Sequence, residues 1–312
     1  MTKTILAIDK AVARQVDLLE EYFQVIRLWK VRDPEELLKD IGAEISALTS
    51  SLVPVSRNLI SALPNLEIIA NCAVGYDNID LETCRQRGIL LTNTPDVLTD
   101  DTADVALLLM LNVMRRAVEG DAYTRAGLWV NGALPLGSAL SGKTVGIIGL
   151  GRIGRAIAQR AAAFNMNIIY HGPREKPDEP YPYYADLEAM ASEADVLIAA
   201  CPATPQTQDL IDLNILQALG PKGFFINIAR GAVVAKNDLL IALSNRDIAG
   251  AGLDVYWEEP NVPQELFTMD NVVLTPHIGS ATQETRHKMG QIVLGNLLAH
   301  FDGKRLLTQV KL

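Results

Sequence analysis

The chain lacks the features that would mark several large classes of protein. No apolar run approaches the roughly 18 residues needed to cross a bilayer as a helix. Cysteines number three (Cys72, Cys84 and Cys201) and histidines four. Neither set has metal-ligand spacing, so no metal site is expected. The cysteines read as reduced thiols in apolar settings. Positive charge is also scarce: the formal net charge is −9, which argues against nucleic acid and anionic membrane surfaces as partners. It does not argue against a small anionic substrate, because a few arginines can set the field inside a site. Repeats and low-complexity tracts are missing. The one proline-rich stretch, 173–182, reads as a short surface loop.

What is present is apolar and regularly spaced. Hydrophobic residues make up 49% of 312, enough for the cores of two domains. The opening residues, Thr4-Ile5-Leu6-Ala7-Ile8, read as a strand and not as a leader, which gives the expectation of a cytoplasmic protein. Strand-length apolar runs at 4–8, 44–48, 66–70 and 89–92 alternate with helical patterning. A second series follows at 144–148, 167–170, 196–200, 223–228, 249–254 and 272–275. This order predicts α/β architecture with two Rossmann-like, doubly wound parallel-sheet lobes and a cleft between them. Segment 102–119 is too densely apolar for a surface helix and reads as a buried connection. A helical segment, 281–300, comes after the last strand and is expected to pack back on the first lobe. The substrate-binding domain is therefore expected to be discontinuous, 1–97 with 284–312, around a dinucleotide-binding domain at 98–283.

The second series opens with Thr144-Val-Gly-Ile-Ile-Gly149-Leu150-Gly151-Arg152-Ile153-Gly154, an apolar strand running into G-x-G-x-x-G and then a helix. Gly149 permits a tight turn, Gly151 a close approach to a pyrophosphate, and Gly154 close packing of helix on strand. The helix amino terminus faces the phosphates with unpaired N–H groups. One strand later, an NAD site usually has an acid for the ribose hydroxyl. Here the chain reads His171-Gly172-Pro173-Arg174-Glu175-Lys176. A carboxylate would repel a 2′-phosphate, whereas Arg174 can grip one in a bidentate way and Arg152 can add a second cation. NADPH is expected in preference to NADH. The opposing reading makes Glu175 the ribose acceptor.

Three polar sites fall at successive strand ends: Asn227-Ile228-Ala229-Arg230-Gly231, Leu253-Asp254-Val-Tyr-Trp-Glu258-Glu259-Pro260, and Thr275-Pro-His277-Ile-Gly279-Ser280. Reducing a 2-keto acid requires a hydride donor, a fixed cation for the carboxylate and an acid for the forming alkoxide. Arginine suits the second role and histidine the third. A carboxylate on the far imidazole nitrogen favours the protonated ring. Arg230, His277 and Glu259 fit these roles, and Leu52 and Trp129 are apolar candidates for the substrate side-chain pocket. Taken singly, each has a structural explanation; together, downstream of the glycine motif, they point to chemistry.

These motifs, with Ala73-Val74-Gly75-Tyr76-Asp77-Asn78-Ile79-Asp80 and in this order, resemble the D-2-hydroxyacid dehydrogenase family along essentially the whole chain. The glyoxylate/hydroxypyruvate reductases are the subgroup most like it. The resemblance implies that Arg230, Glu259 and His277 are catalytic, with Glu259 chosen over Glu258 because the family's acid directly precedes the proline. It implies substrate-carboxylate contacts from the Val74 and Gly75 backbone and a place for Ser280 beside them. Asp254 is implied to face the nicotinamide carboxamide, with Thr102 near the ring. Cys201-Pro202 through Thr207 is implied to touch the adenosine side. With these go Ile228, Ala229 and Gly279, and His171 and Gly172, as cofactor contacts. The expected activity is reduction of glyoxylate or hydroxypyruvate to a D-2-hydroxy acid with NADPH. Its rivals are a dehydrogenase of the same fold for another small anion, such as a longer hydroxy acid or phosphite, and a non-catalytic dinucleotide sensor. A homodimer is expected from the apolar 102–114 segment and the family likeness.

Overall fold

The computed structural model describes residues 3–312, with Arg14 described for its backbone alone. The chain divides into two compact units, Met1–Leu98 with Ala281–Leu312, and Thr99–Ser280.

In the first unit five strands lie in the order β2-β1-β3-β4-β5: β1 (Thr4–Ala7), β2 (Gln24–Arg27), β3 (Ile45–Ser50), β4 (Ile68–Asn71) and β5 (Leu90–Thr92). All are parallel. Their apolar runs are continuous, as expected where both sheet faces are covered; every residue of β1, β3 and β4 is buried. The edge strand β2 is not apparent in the sequence. It is only four residues long and none of them is buried, so it has no core-facing pattern to reveal it. The carboxy-terminal helix Gln283–Phe301 packs on Ala13–Leu19 and on β4, within this unit. Thr282 caps its start by accepting from the Thr285 N–H.

In the second unit seven parallel strands run β12-β11-β10-β9-β6-β7-β8. These are β6 (Thr144–Ile148), β7 (Asn167–His171), β8 (Tyr183–Tyr184), β9 (Val196–Ala199), β10 (Phe224–Asn227), β11 (Gly250–Leu253) and β12 (Val272–Leu274). Six were legible as apolar runs. The two-residue β8 hides just beyond the proline-rich segment. From β6 the chain moves to β7 on one side and returns to β9 on the other, so the switch point of the sheet lies between β6 and β9. The long helix Thr99–Arg115 buries nine residues against helix Arg152–Ala163 and strands β10, β11 and β12. Its density of apolar residues is thus explained within the chain, although Leu108 stays exposed.

The tail after the last helix is fastened by one buried side chain. Asn296 accepts from the N–H groups of Leu307 and Thr308 at 2.9 and 3.2 Å, and its amide donates to Thr308 Oγ1 at 2.9 Å. Val310 then donates to the Leu91 carbonyl of β5. Replacing Asn296 with Ala leaves these groups without their partner. The Asn296→Ala protein should lose about 2–4 kcal/mol, visible as a lower thermal midpoint with no change in the fold by circular dichroism.

Candidate active site

The glycine loop leaves β6 at the switch point. Gly149 has φ +97, and a Cβ there would stand 2.8 Å from the Cys201 backbone, so only glycine allows β6 to turn beside the end of β9. A Cβ at Gly154 would collide with the Gly149 carbonyl, which keeps the first turn of the helix against the loop. Gly151 is different: a Cβ there would meet no protein atom within 4 Å. What its missing side chain leaves open is space outside the protein, in front of the amino terminus of helix Arg152–Ala163. Gly151 is the cap residue, and no side chain caps it. That is the arrangement a pyrophosphate needs, and Leu150, Arg152 and Ile153 lie in the same turn.

Beyond β7 the chain is held by its own tyrosines. His171 is in contact with the Tyr184 carbonyl through Nδ1, and its carbonyl accepts from the Gly149 N–H. Tyr183 donates to the Gly172 carbonyl, and the Lys176 N–H donates to the Tyr170 hydroxyl. Lys176 Nζ reaches back to the Leu150 carbonyl at 2.6 Å. Arg174 is exposed on this segment. Lys176, which the sequence placed only nearby, thus touches the glycine loop itself. After β9, Cys201 is buried and its thiol is pushed up to about 11 by burial, which leaves it protonated and inert at neutral pH. The Thr207 hydroxyl donates to the Pro202 carbonyl and accepts from the Thr204 N–H, closing that turn on itself.

Arg230, Glu259 and His277 follow β10, β11 and β12. The Asn227 side chain shapes the first loop: Oδ1 accepts from the Ala229 N–H and Nδ2 donates to the Arg230 carbonyl. Ile228 and Ala229 are buried beside it. Glu259 Oε2 lies 2.6 Å from His277 Nδ1, and Glu259 Oε1 accepts from the Tyr256 N–H at 3.0 Å. Both side chains are 22% exposed. Burial works to raise the Glu259 pKa. The hydrogen bond and charge of His277, the Tyr256 N–H and the nearby Arg230 charge outweigh it, so the carboxyl lies below its ordinary value. Glu259 is therefore an anion fixed on one imidazole nitrogen, leaving Nε2 as the ring's other proton-bearing atom.

Asp254 sets the position of the histidine. It is 1% exposed. Its Oδ1 accepts from Thr275 Oγ1 and the Ile278 N–H at 2.6 and 2.8 Å, and its Oδ2 from the Gly279 N–H at 2.9 Å. Its own carbonyl accepts from the His277 N–H. Three of about four carboxylate acceptor positions are thereby used on one loop, leaving a single one for a further donor. Thr102 Oγ1 donates to the Gly279 carbonyl and braces the same loop, next to Ser280. His277 has φ +52, a left-handed conformation uncommon for residues with a Cβ, among which histidine, asparagine and aspartate adopt it most readily.

Val74, Gly75 and Leu52 belong to the other unit, at the ends of β4 and β3; Val74 and Gly75 are half-buried and Leu52 is exposed. Trp129 is 72% exposed. Among the described residues no group of three His, Cys, Asp or Glu could hold a metal ion, and no helix is long and apolar enough to cross a membrane.

Residues 107–279, more than half of the chain, match the model of the D-isomer specific 2-hydroxyacid dehydrogenase NAD binding domain. The chain belongs to the D-isomer specific 2-hydroxyacid dehydrogenase family. It is 48% identical over 293 residues to a glyoxylate/hydroxypyruvate reductase A of Arabidopsis thaliana, covering 94% of each chain. It is 47% identical over 293 residues to a hydroxyphenylpyruvate reductase of Plectranthus scutellarioides, again with 94% of each covered. An NADPH-dependent glyoxylate/hydroxypyruvate reductase of Sinorhizobium meliloti, solved in complex with NADP and malonate, superposes with a TM-score of 0.92 at 41% identity; 99% of this chain and 97% of that one are covered.

This dehydrogenase is accordingly an oxidoreductase built around a nicotinamide-dinucleotide domain. In it the glycine motif and the strand-end residues were readable from sequence. The braces were not: Tyr256, whose hydroxyl donates to the Thr275 carbonyl at 2.9 Å, and Lys176 are polar residues of ordinary kind whose contacts lie elsewhere in the chain, and Thr102, expected near the nicotinamide, adds an unforeseen bond to the Gly279 carbonyl.

Two outcomes follow for the dehydrogenase. Gly149→Ala forces a side chain into a left-handed turn against Cys201, and dinucleotide affinity by fluorescence titration should fall by at least about tenfold. Glu259 has a folded pKa below its ordinary 4.5. Its contribution to stability is thus fully present above that value and is lost as pH falls through the lower folded value. The thermal midpoint of Glu259→Gln should lie below wild type near neutral pH, and the gap should narrow only in acid below about pH 4.5.

Proposed function

We propose that the protein is an NADPH-dependent reductase of small 2-keto acids, glyoxylate and hydroxypyruvate, giving D-2-hydroxy acids. The observation that carries this reading is the half-buried His277–Glu259 pair beside the charge of Arg230, at the carboxyl ends of three successive strands. A bound nicotinamide dinucleotide supplies hydride to the keto carbon. The chain's own part is acid catalysis and anion binding. His277 gives a proton from Nε2 to the forming alkoxide, and Glu259 stabilises the imidazolium through Nδ1. Arg230 holds the substrate carboxylate and polarises the ketone. In the other unit, the backbone N–H groups of Val74 and Gly75 are assigned to the carboxylate, and Leu52 to the substrate side chain.

For the cofactor, the open approach at Gly151 and the uncapped helix support the pyrophosphate assignment. We assign Arg174 to the 2′-phosphate, helped by Arg152. Asp254, Thr102 and Gly279 are assigned to the nicotinamide end, with His171, Gly172, Ile228, Ala229 and the Cys201–Thr207 turn as further contacts. A cytoplasmic homodimer fits this reading. Trp129, Val130 and Leu136 are 72, 89 and 96% exposed and form an apolar segment suited to a second copy of the chain; Trp129 then serves an interface or the pocket.

The reading is tested by following NADPH and NADH absorbance with purified protein, glyoxylate and hydroxypyruvate. Turnover faster with NADPH is expected; turnover with neither acid would overturn the assignment. His277→Ala should lower kcat by about 100-fold or more with dinucleotide affinity retained, and near-normal turnover would remove His277 from its role. Arg174→Ala should weaken NADPH by at least about tenfold and leave NADH nearly unchanged. A second reading, a preference for a longer keto acid, draws on the 47% identity to the hydroxyphenylpyruvate reductase. The same assay with hydroxyphenylpyruvate decides between them.

A further inference from the structure

The loop that follows β4 is held in an unusual way. Three successive carbonyls, those of Ala73, Val74 and Gly75, all accept hydrogen bonds from residues at the ends of β4 and β5. Asn71 Nδ2 donates to the Gly75 carbonyl at 2.8 Å and to the Ala73 carbonyl at 3.5 Å. Asn93 Nδ2 donates to the Val74 carbonyl at 3.0 Å, and the Thr94 N–H donates to the Ala73 carbonyl at 3.0 Å. In a trans peptide the C=O and the following N–H point in opposite directions. Each N–H of Val74, Gly75 and Tyr76 therefore points away from the donor that holds the carbonyl before it. No described residue accepts from any of the three, and all three residues are half-buried.

Asn71 holds this arrangement at a cost. It is 0% exposed, and its Oδ1 is buried without a hydrogen-bond partner. An apolar side chain at that position would avoid the penalty of an unsatisfied buried acceptor. The amide is thus not explained by packing, but is explained by what its Nδ2 does to the loop.

We infer that Asn71 and Asn93 are positioning residues that turn a row of three amides, Val74, Gly75 and Tyr76, toward the substrate carboxylate. This rests on the proposed keto-acid reductase reading and adds to it a third donor, Tyr76, and the two side chains that orient the row. Successive N–H groups on one side of a turn make a concave site for an anion. With the carbonyls released, the peptide planes can rotate and the row loses its common direction.

The test uses oxamate, a carboxylate-bearing mimic of a 2-keto acid, added to the full-length, 15N-labelled protein with NADP present. The amide signals of Val74, Gly75 and Tyr76 should all shift on titration in the wild type. If those three stay still while other signals move, the inference is overturned whatever the turnover. Absence of keto-acid turnover with the three shifts intact would count against the proposed activity alone and leave the anion row standing. In steady-state assays Asn71→Ala should raise KM for glyoxylate by about tenfold, with kcat and NADPH affinity within about twofold of wild type. Asn93→Ala, at a half-buried position that tolerates truncation, should show the same split in smaller degree and smaller oxamate shifts at Gly75. A folded Asn93→Ala protein with unchanged KM and unchanged shifts would remove Asn93 from the role, and the same result in folded Asn71→Ala would overturn the inference.

Discussion

The carboxylate of Asp254 is the point from which the geometry of the candidate site is set. Buried at the end of β11, it accepts from Thr275, Ile278 and Gly279, and so dictates the path of the loop that leaves β12. His277 rides on that loop in a left-handed backbone conformation, at a cost of the order of 1–2 kcal/mol for a residue with a Cβ. Three hydrogen bonds from that loop to one carboxylate hold the histidine there, although burial outweighs them and keeps the Asp254 carboxyl above its ordinary pKa. Glu259 comes from the other side of the same strand end, and Tyr256 binds both partners' loops through its N–H to Glu259 and its hydroxyl to Thr275. The two members of the pair are therefore fixed relative to each other by one braced junction between β11 and β12, and the 2.6 Å contact needs no adjustment to form.

The electrostatics of that junction run opposite to those of the chain as a whole. A net charge of −9 would suggest a protein indifferent to anions. Inside the site the balance differs: Glu259 lies below its ordinary pKa despite burial because His277 and Arg230 are close. At short range and reduced dielectric a single guanidinium outweighs many distant, screened carboxylates. The charge count thus carried no information about a small anionic substrate.

The parts legible in the sequence are those where local pattern and long-range role coincide. Buried parallel strands must be continuously apolar, so ten of the twelve were visible as runs; β2 and β8 were not, being short edges without a buried face. Gly149 and Gly154 are required by a turn and a close packing that a spacing pattern can display. Arg230, Glu259 and His277 stood out because each follows a recognisable strand. The helix Thr99–Arg115 was read as buried, and its burial proves to be against its own sheet. Asn71, Asn93, Tyr170 and Tyr256 gave no signal, and Thr102 was singled out for a place near the nicotinamide, not for its bond to the Gly279 carbonyl. Each acts through hydrogen bonds to backbone groups that its position in sequence does not identify, and threonine, asparagine and tyrosine are common in loops for unrelated reasons.

Lys176 shows why such contacts matter for reading a cofactor site. In sequence it is one of two cations after β7, and Arg174 is the more natural phosphate ligand because its planar fork matches the anion. In space Lys176 spans from the segment after β7 to the Leu150 carbonyl, while its own N–H is held by the buried Tyr170. An ammonium in that position brings positive charge to the glycine loop and ties the loop to the segment that carries Arg174. The glycine loop and the segment after β7 are then mechanically joined through one side chain. A change at 176 would move both together, whereas a change at the exposed Arg174 would leave that tie in place. Residue type suggested which cation suits a phosphate; only the fold shows that Lys176 also ties the glycine loop to the segment after β7.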